Sequence, residues 1–116
     1  MKKTVELLRN GFESSSYKTP EFLSFVRVFT AEFTKELKSI GAKNIKIEAG
    51  HFYVSGFCTS ESGQVYYFSI PDVRGMAFGG PPRLMYRTAM DYTDFSGGSN
   101  QWAVIESDMA KKMTLK

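Results

Sequence analysis

Between Pro20 and Gly41, the chain sets Phe22, Val26, Phe29, Phe33, Leu37 and Ile40 at steps of three and four. That spacing lines one face of an α-helix, and a stripe of this length commits the fold to one long amphipathic helix that needs an apolar surface to lie on. Thr19 stands where an N-cap belongs. Pro20 suits the first helical position because its missing N–H has no partner there, and Glu21 complements the helix dipole. Phe25 widens the stripe, while Arg27, Glu32, Lys35, Glu36 and Lys38 occupy the remaining surface. We read the stripe as architecture, packed on a sheet.

After the helix the period changes from four to two. Ile45 and Ile47 alternate with Lys46 and Glu48, and Ala49-Gly50 offers a turn into a strand over His51 to Cys58. A polar stretch from Thr59 to Gly63 leads to a third strand, Gln64 to Ile70, which stops before Pro71. Leu84 to Ala89 and Gln101 to Ile105 are further strand candidates. A short helix is expected over Thr4 to Asn10, then a connector over Glu13 to Lys18, and Ser107 is positioned to cap a last helix through Met113, beyond which the tail is expected to fray. Helices and strands are segregated along the chain, which argues for an α+β fold: a long helix on a twisted antiparallel sheet of four to five strands, with short terminal helices. At 116 residues, residues 1–116 are expected to form one domain, with 10 Phe and 6 Tyr supplying a ring-rich core.

The single cysteine, Cys58, excludes an intrachain disulfide, and the apolar start after Lys2-Lys3 is broken by Glu6 and Arg9 before it resembles an export signal. No stretch approaches the roughly 20 apolar residues of a membrane span. A cytoplasmic protein with no membrane association is expected. His51 and Cys58 are the strongest candidates for soft-metal or nucleophilic chemistry. Seven residues apart on one extended strand, they would face opposite sides at about 23 Å, so no catalytic dyad is expected, and a structural zinc site would need carboxylates or a dimer interface. Cys58 reads as a small core residue and His51 as a turn-proximal surface residue. The glycine clusters Gly79-Gly80-Pro81-Pro82 and Ser96-Gly97-Gly98-Ser99-Asn100 lack the phosphate-loop pattern and read as loops, with adaptable binding as the functional alternative. Asp72, Asp91 and Asp94 read as solvated acids. Neither a cofactor motif nor a catalytic constellation emerges, so we expect binding, not turnover.

The net charge of +3 is unevenly spread: Val73 to Ala89 carries Arg74, Arg83 and Arg87 without an acid, and Asp91 to Asp108 carries Asp91, Asp94, Glu106 and Asp108 without a base. Arginines interleaved with Phe78, Tyr86 and Tyr92 suit an acidic protein face or single-stranded nucleic acid; the structural alternative is pairing with Asp91, Asp94 and Glu106. Arg74, Arg83, Tyr86, Arg87, Tyr92, Phe95 and Asn100 are the expected binding surface, with Trp102 either a core anchor or part of it.

The stretch Tyr66-Tyr67-Phe68-Ser69-Ile70-Pro71-Asp72-Val73-Arg74, with Leu84-Met85-Tyr86-Arg87-Thr88-Ala89 and the segment Asp91-Tyr92-Thr93-Asp94-Phe95-Ser96-Gly97-Gly98-Ser99-Asn100, resembles a pattern in small proteins of bacterial plasmids, conjugative elements and phages. The resemblance implies a setting in which small non-enzymatic proteins bind host machinery, including inhibitors of CRISPR effectors and other defence systems. The expected function is therefore protein-directed binding to a host partner, with single-stranded nucleic-acid or DNA-associated binding as the alternative.

Overall fold

A computed structural model of the chain describes residues 1–12, 19–74 and 81–116. Three helices, α1 (Lys2–Asn10), α2 (Pro20–Ser39) and α3 (Met109–Met113), accompany five strands, β1 (Lys43–Ala49), β2 (Val54–Thr59), β3 (Val65–Ile70), β4 (Arg83–Ala89) and β5 (Gln101–Val104). The strands form one antiparallel sheet in the order β1-β2-β3-β4-β5. The expected α+β architecture is the observed one. The connector over residues 13–18, Phe78 and the Gly79-Gly80 pair lie outside the described residues.

Side chains alternate across a strand, so the pairing register sorts the sheet into two faces. The inner face pairs Gly56 with Phe68, Cys58 with Tyr66 and Phe68 with Tyr86, and it receives the helices. On α2, Phe22, Phe25, Phe29, Phe33 and Leu37 are buried, and their rings run as a ladder. Phe25 stacks on Phe29 at 5.9 Å, Phe29 on Phe33 at 5.2 Å, and Phe33 meets Phe68 of β3 edge-on at 5.0 Å. Phe25, first read as a margin of the stripe, sits at its centre, whereas Val26 and Ile40 are only partly buried. Full burial of such a side chain contributes roughly 1.5–3 kcal/mol, so this ladder dominates the stability of the fold. Gly56 makes room for it: a Cβ there would lie 2.8 Å from the Phe68 ring and 2.1 Å from the Lys46 carbonyl.

The caps differ from the sequence expectation. Thr19 precedes α2 with extended backbone, but its hydroxyl makes no capping bond and is buried without a partner among the described residues. Ser107 does not cap α3. Asp108 takes that position in a left-handed conformation, and the Glu36 carboxylate of α2 accepts the N–H groups of Asp108 and Ala110, each at 3.2 Å. A tertiary contact thus replaces a local one, because a five-residue helix cannot hold its own terminus. One turn earlier on α2, Thr4 of α1 donates its N–H and its hydroxyl to Glu32 at 2.8 and 2.6 Å.

The tail expected to fray is docked. The Tyr86 hydroxyl donates to the Met113 carbonyl at 3.0 Å, Lys116 donates its N–H to the Tyr66 hydroxyl at 3.1 Å, and the Ser60 and Ser62 hydroxyls donate to the Lys116 carbonyl. The strand expected from His51 begins only at Val54. Residues 50–53 form a turn closed by Gly50 N–H to the Tyr53 carbonyl at 3.1 Å, and Phe52, at φ 61°, turns inward to meet Phe22 at 5.3 Å.

Candidate binding face of the sheet

Among the described residues, no helix covers the outer face. Its register pairs Phe57 with Tyr67, Tyr67 with Arg87, Ser69 with Met85 and Met85 with Trp102. Over one half of it folds the loop from Met90 to Asn100, which acts as a strap. Tyr92 stacks on Phe57 at 5.3 Å and 19°, and Phe95 meets Phe57 and Tyr67 edge-on at 5.5 and 5.8 Å. The Tyr92 hydroxyl donates to the Asn44 carbonyl at 2.7 Å and accepts from the Thr59 hydroxyl at 2.8 Å. That carbonyl lies where the β1–β2 register shifts between Lys43 and Lys46. At the far end of the strap, Gly98 donates its N–H to Thr88 at 3.0 Å, and a Cβ on Gly97 would lie 2.2 Å from the Thr88 carbonyl oxygen, so only glycine fits.

Arg87 sits beneath this strap, only 5% exposed, with its guanidinium 4.3 Å from the Tyr67 ring and Nη1 directed at the Met85 sulfur at 3.7 Å. Among the described residues it has no ion pair, and its Nε is buried without a hydrogen-bond partner. A cation held over a ring gains from the ring quadrupole, by about 2 kcal/mol when desolvated, which partly offsets its burial. The acids expected to pair with it are used elsewhere. Asp91 accepts the Thr93 N–H and hydroxyl at 2.8 and 2.6 Å, and Asp94 accepts the N–H groups of Met90 and Ser96 at 2.9 and 3.0 Å. These bonds hold both carboxyls below their usual range. Glu106 pairs with Lys112.

The seven residues expected to share one surface are distributed over the molecule. Phe95, Arg83 and Asn100 are exposed, and Tyr92 is half-buried, all on or beside the outer face. Tyr86 belongs to the core: it points to the inner face, and burial, with the neighbouring Tyr66, pushes its hydroxyl pKa upward. Arg87 faces the opposite way, as neighbours on a strand must. Arg74 lies elsewhere, paired with Asp72 at 2.8 Å and 4.5 Å from the Phe52 ring. Trp102, left open by the sequence, is 55% exposed and pairs with Met85 on the outer face. Its parity relative to Met85 depends on the β4–β5 register, which the sequence does not reveal.

A groove of about 250 Å³ opens beside the strap, between Lys46, Ser55 and Phe57 on the sheet and Tyr92, Thr93 and Phe95 above it. Lys46 Nζ lies 5.7 Å from the Tyr92 ring at its wall. Cys58 faces the inner side, where burial pushes its thiol up to about 12, and His51 is exposed at the β1–β2 turn. Among the described residues, no three His, Cys, Asp or Glu side chains gather where they would hold a metal ion, and no helix is long and apolar enough to cross a membrane. No family model, curated protein or solved structure matches the chain.

Proposed function

We propose that this chain is a non-catalytic binding protein of a mobile genetic element that acts by protein–protein contact on a host protein, with a defence effector such as a CRISPR nuclease as the partner class. One observation carries the binding reading. The outer sheet face, free of helices among the described residues, exposes Phe95 at 66%, held edge-on against Phe57 and Tyr67, and farther along it Trp102 at 55%, opposite Met85 and diagonal to Arg83. Tryptophan, tyrosine and arginine dominate the energetic centres of protein interfaces, and a prearranged face loses little entropy on docking. The rim carries both signs, with Lys46 and Arg83 against Glu48 and Asp91, which suits a partner of mixed charge. Burial of Cys58, which pushes its thiol up to about 12, speaks against that residue as a nucleophile at neutral pH; the non-catalytic reading otherwise rests on the sequence. The genetic setting rests on the sequence resemblance alone.

The test is capture from lysate of the natural host, with and without nuclease, comparing the parent chain with Arg83→Ala/Trp102→Ala. Both residues are exposed, so this variant keeps its core, whereas alanine at Tyr86 and Arg87 would disturb packing. A stoichiometric host protein that survives nuclease and disappears with the variant supports the reading. Recovery unchanged by the variant sinks it.

A second reading, single-stranded nucleic-acid binding, is favoured by the exposed cations Lys46 and Arg83 beside the Tyr92, Phe95 and Trp102 rings of the same face, with Lys46 over Tyr92. It requires an affinity for labelled oligothymidine that falls steeply between low and physiological salt.

A further inference from the structure

The two edges of the sheet are built differently. β1 carries Lys43 and Lys46, a register shift between them, and Asn44 at φ 53°, all of which discourage another strand from pairing there. β5 reads Gln-Trp-Ala-Val, without a charge, a proline or a break in its register. The N–H of Ile105 donates to the Pro82 carbonyl at 2.8 Å, which fixes the alternation: 101, 103 and 105 bond toward β4. Trp102 and Val104 therefore turn their N–H and C=O groups away from β4, toward an edge that no strand pairs with among the described residues.

A groove of about 330 Å³ opens at the C-terminal end of β5, between Lys2, Val5 and Arg9 of α1 and Pro82, Val104 and Ile105 on the sheet side. An edge strand flanked by a helix is a receptor for extended peptides: the backbone pairs with the edge while alternate side chains point to the helix and away from it. Here one set would meet Val5, Lys2 and Arg9, and the other Trp102 and Arg83. Lys2, Arg9 and Arg83 have no ion pair among the described residues; Glu6 opposes them, and Glu106 is engaged by Lys112.

We infer that β5 is the docking strand, and that it takes an extended, acidic segment of the partner protein as a sixth strand. Four outward backbone groups give register, the cations select carboxylates, and Val5 with Trp102 holds apolar side chains on either side. A second copy of this chain fits worse, because β5 is neutral and its pairing with itself would bring two sets of Lys2, Arg9 and Arg83 together. The inference rests on the protein-binding reading and specifies its geometry.

The probe is an acetylated octapeptide of alternating Glu and Val, compared with its Lys-Val counterpart, by titration followed through backbone amide NMR shifts of the full chain. The Glu-Val peptide should bind with the largest shifts at Trp102 and Val104, and the Lys-Val peptide at least tenfold more weakly. Val104→Pro removes an N–H that β4 does not use, and should weaken binding at least tenfold. Arg9→Glu, on an exposed helix position, should do the same without touching the sheet. The inference is overturned by absence of Glu-Val binding, by binding that both variants leave intact, or by shifts confined to the β1 edge. It is equally overturned if the chain dimerises through β5 and Val104→Pro makes it monomeric. Shifts centred on Tyr67 and Phe95 would remove the β5 inference while leaving protein binding through the outer face standing.

Discussion

The two faces of the sheet carry aromatic layers of opposite construction, the inner one larger. On the inner face the rings of α2 and β3 pack on one another and on aliphatic side chains such as Leu8, Leu37 and Ile70, and Phe25, Phe29, Phe33 and Phe68 are all at or below 1% exposure. On the outer face, rings are interleaved with cations and hydroxyls: Arg87 on Tyr67, Lys46 near Tyr92, and the Tyr92 hydroxyl between Asn44 and Thr59. Non-directional burial organises the first layer, and directional contacts organise the second. The difference separates two tasks. A layer that excludes water completely holds the fold, while a layer of placed polar groups and half-covered rings is prepared for a partner.

The largest effect is expected at Phe33. Phe33→Ala removes the ring that joins the helix ladder to Phe68, and should cost about 3–5 kcal/mol in urea unfolding; a cost below 1 kcal/mol would mean that the ladder does not hold the fold. Next comes Glu32→Ala, which strands the N–H and hydroxyl of the fully buried Thr4 and should cost about 2 kcal/mol. Burial raises the Glu32 carboxyl, but the Thr4 hydrogen bonds and the neighbouring amino group outweigh it, so its pKa lies below the usual carboxylate range. A depressed folded pKa contributes stability that is present above about pH 4.5 and lost as pH falls through the folded value, so the variant should show a shallower loss in acid than the parent. Gly97→Ala drives a Cβ into Thr88, and should cost about 1 kcal/mol while raising the exposure of the Tyr92 and Phe95 rings, seen in near-ultraviolet circular dichroism. Smallest is Arg83→Ala/Trp102→Ala, which should change stability by no more than about 0.5 kcal/mol yet abolish partner capture.

Much of the inner layer was legible because a helix writes its buried face into the sequence as a period. Phe22, Phe29, Phe33 and Leu37 could be read directly, and Cys58 fell on the core side as expected. The outer layer was not legible in the same way. Tyr86 and Arg87 looked like one recognition pair because they are adjacent, but adjacency on a strand separates side chains, and that rule was available from the sequence once Leu84 to Ala89 was read as a strand. The strap is harder. Tyr92, Phe95 and Gly97 are positioned by Asn44, Phe57 and Thr88, partners up to 48 residues away, and no local pattern announces such contacts. The α3 cap fails for the same reason, since Glu36 comes from α2. Periodicity finds surfaces that must be buried; it does not find polar contacts between distant elements.

The division of labour between the faces is tested most directly by hydrogen–deuterium exchange on the chain bound to its captured host protein, compared with the free chain. Added protection is expected along β4, the 90–100 strap and β5, with α1 affected only where it lines the β5 groove and α2 unchanged. Protection concentrated on the exposed side of α2, with the outer sheet face exchanging as in the free chain, would contradict it.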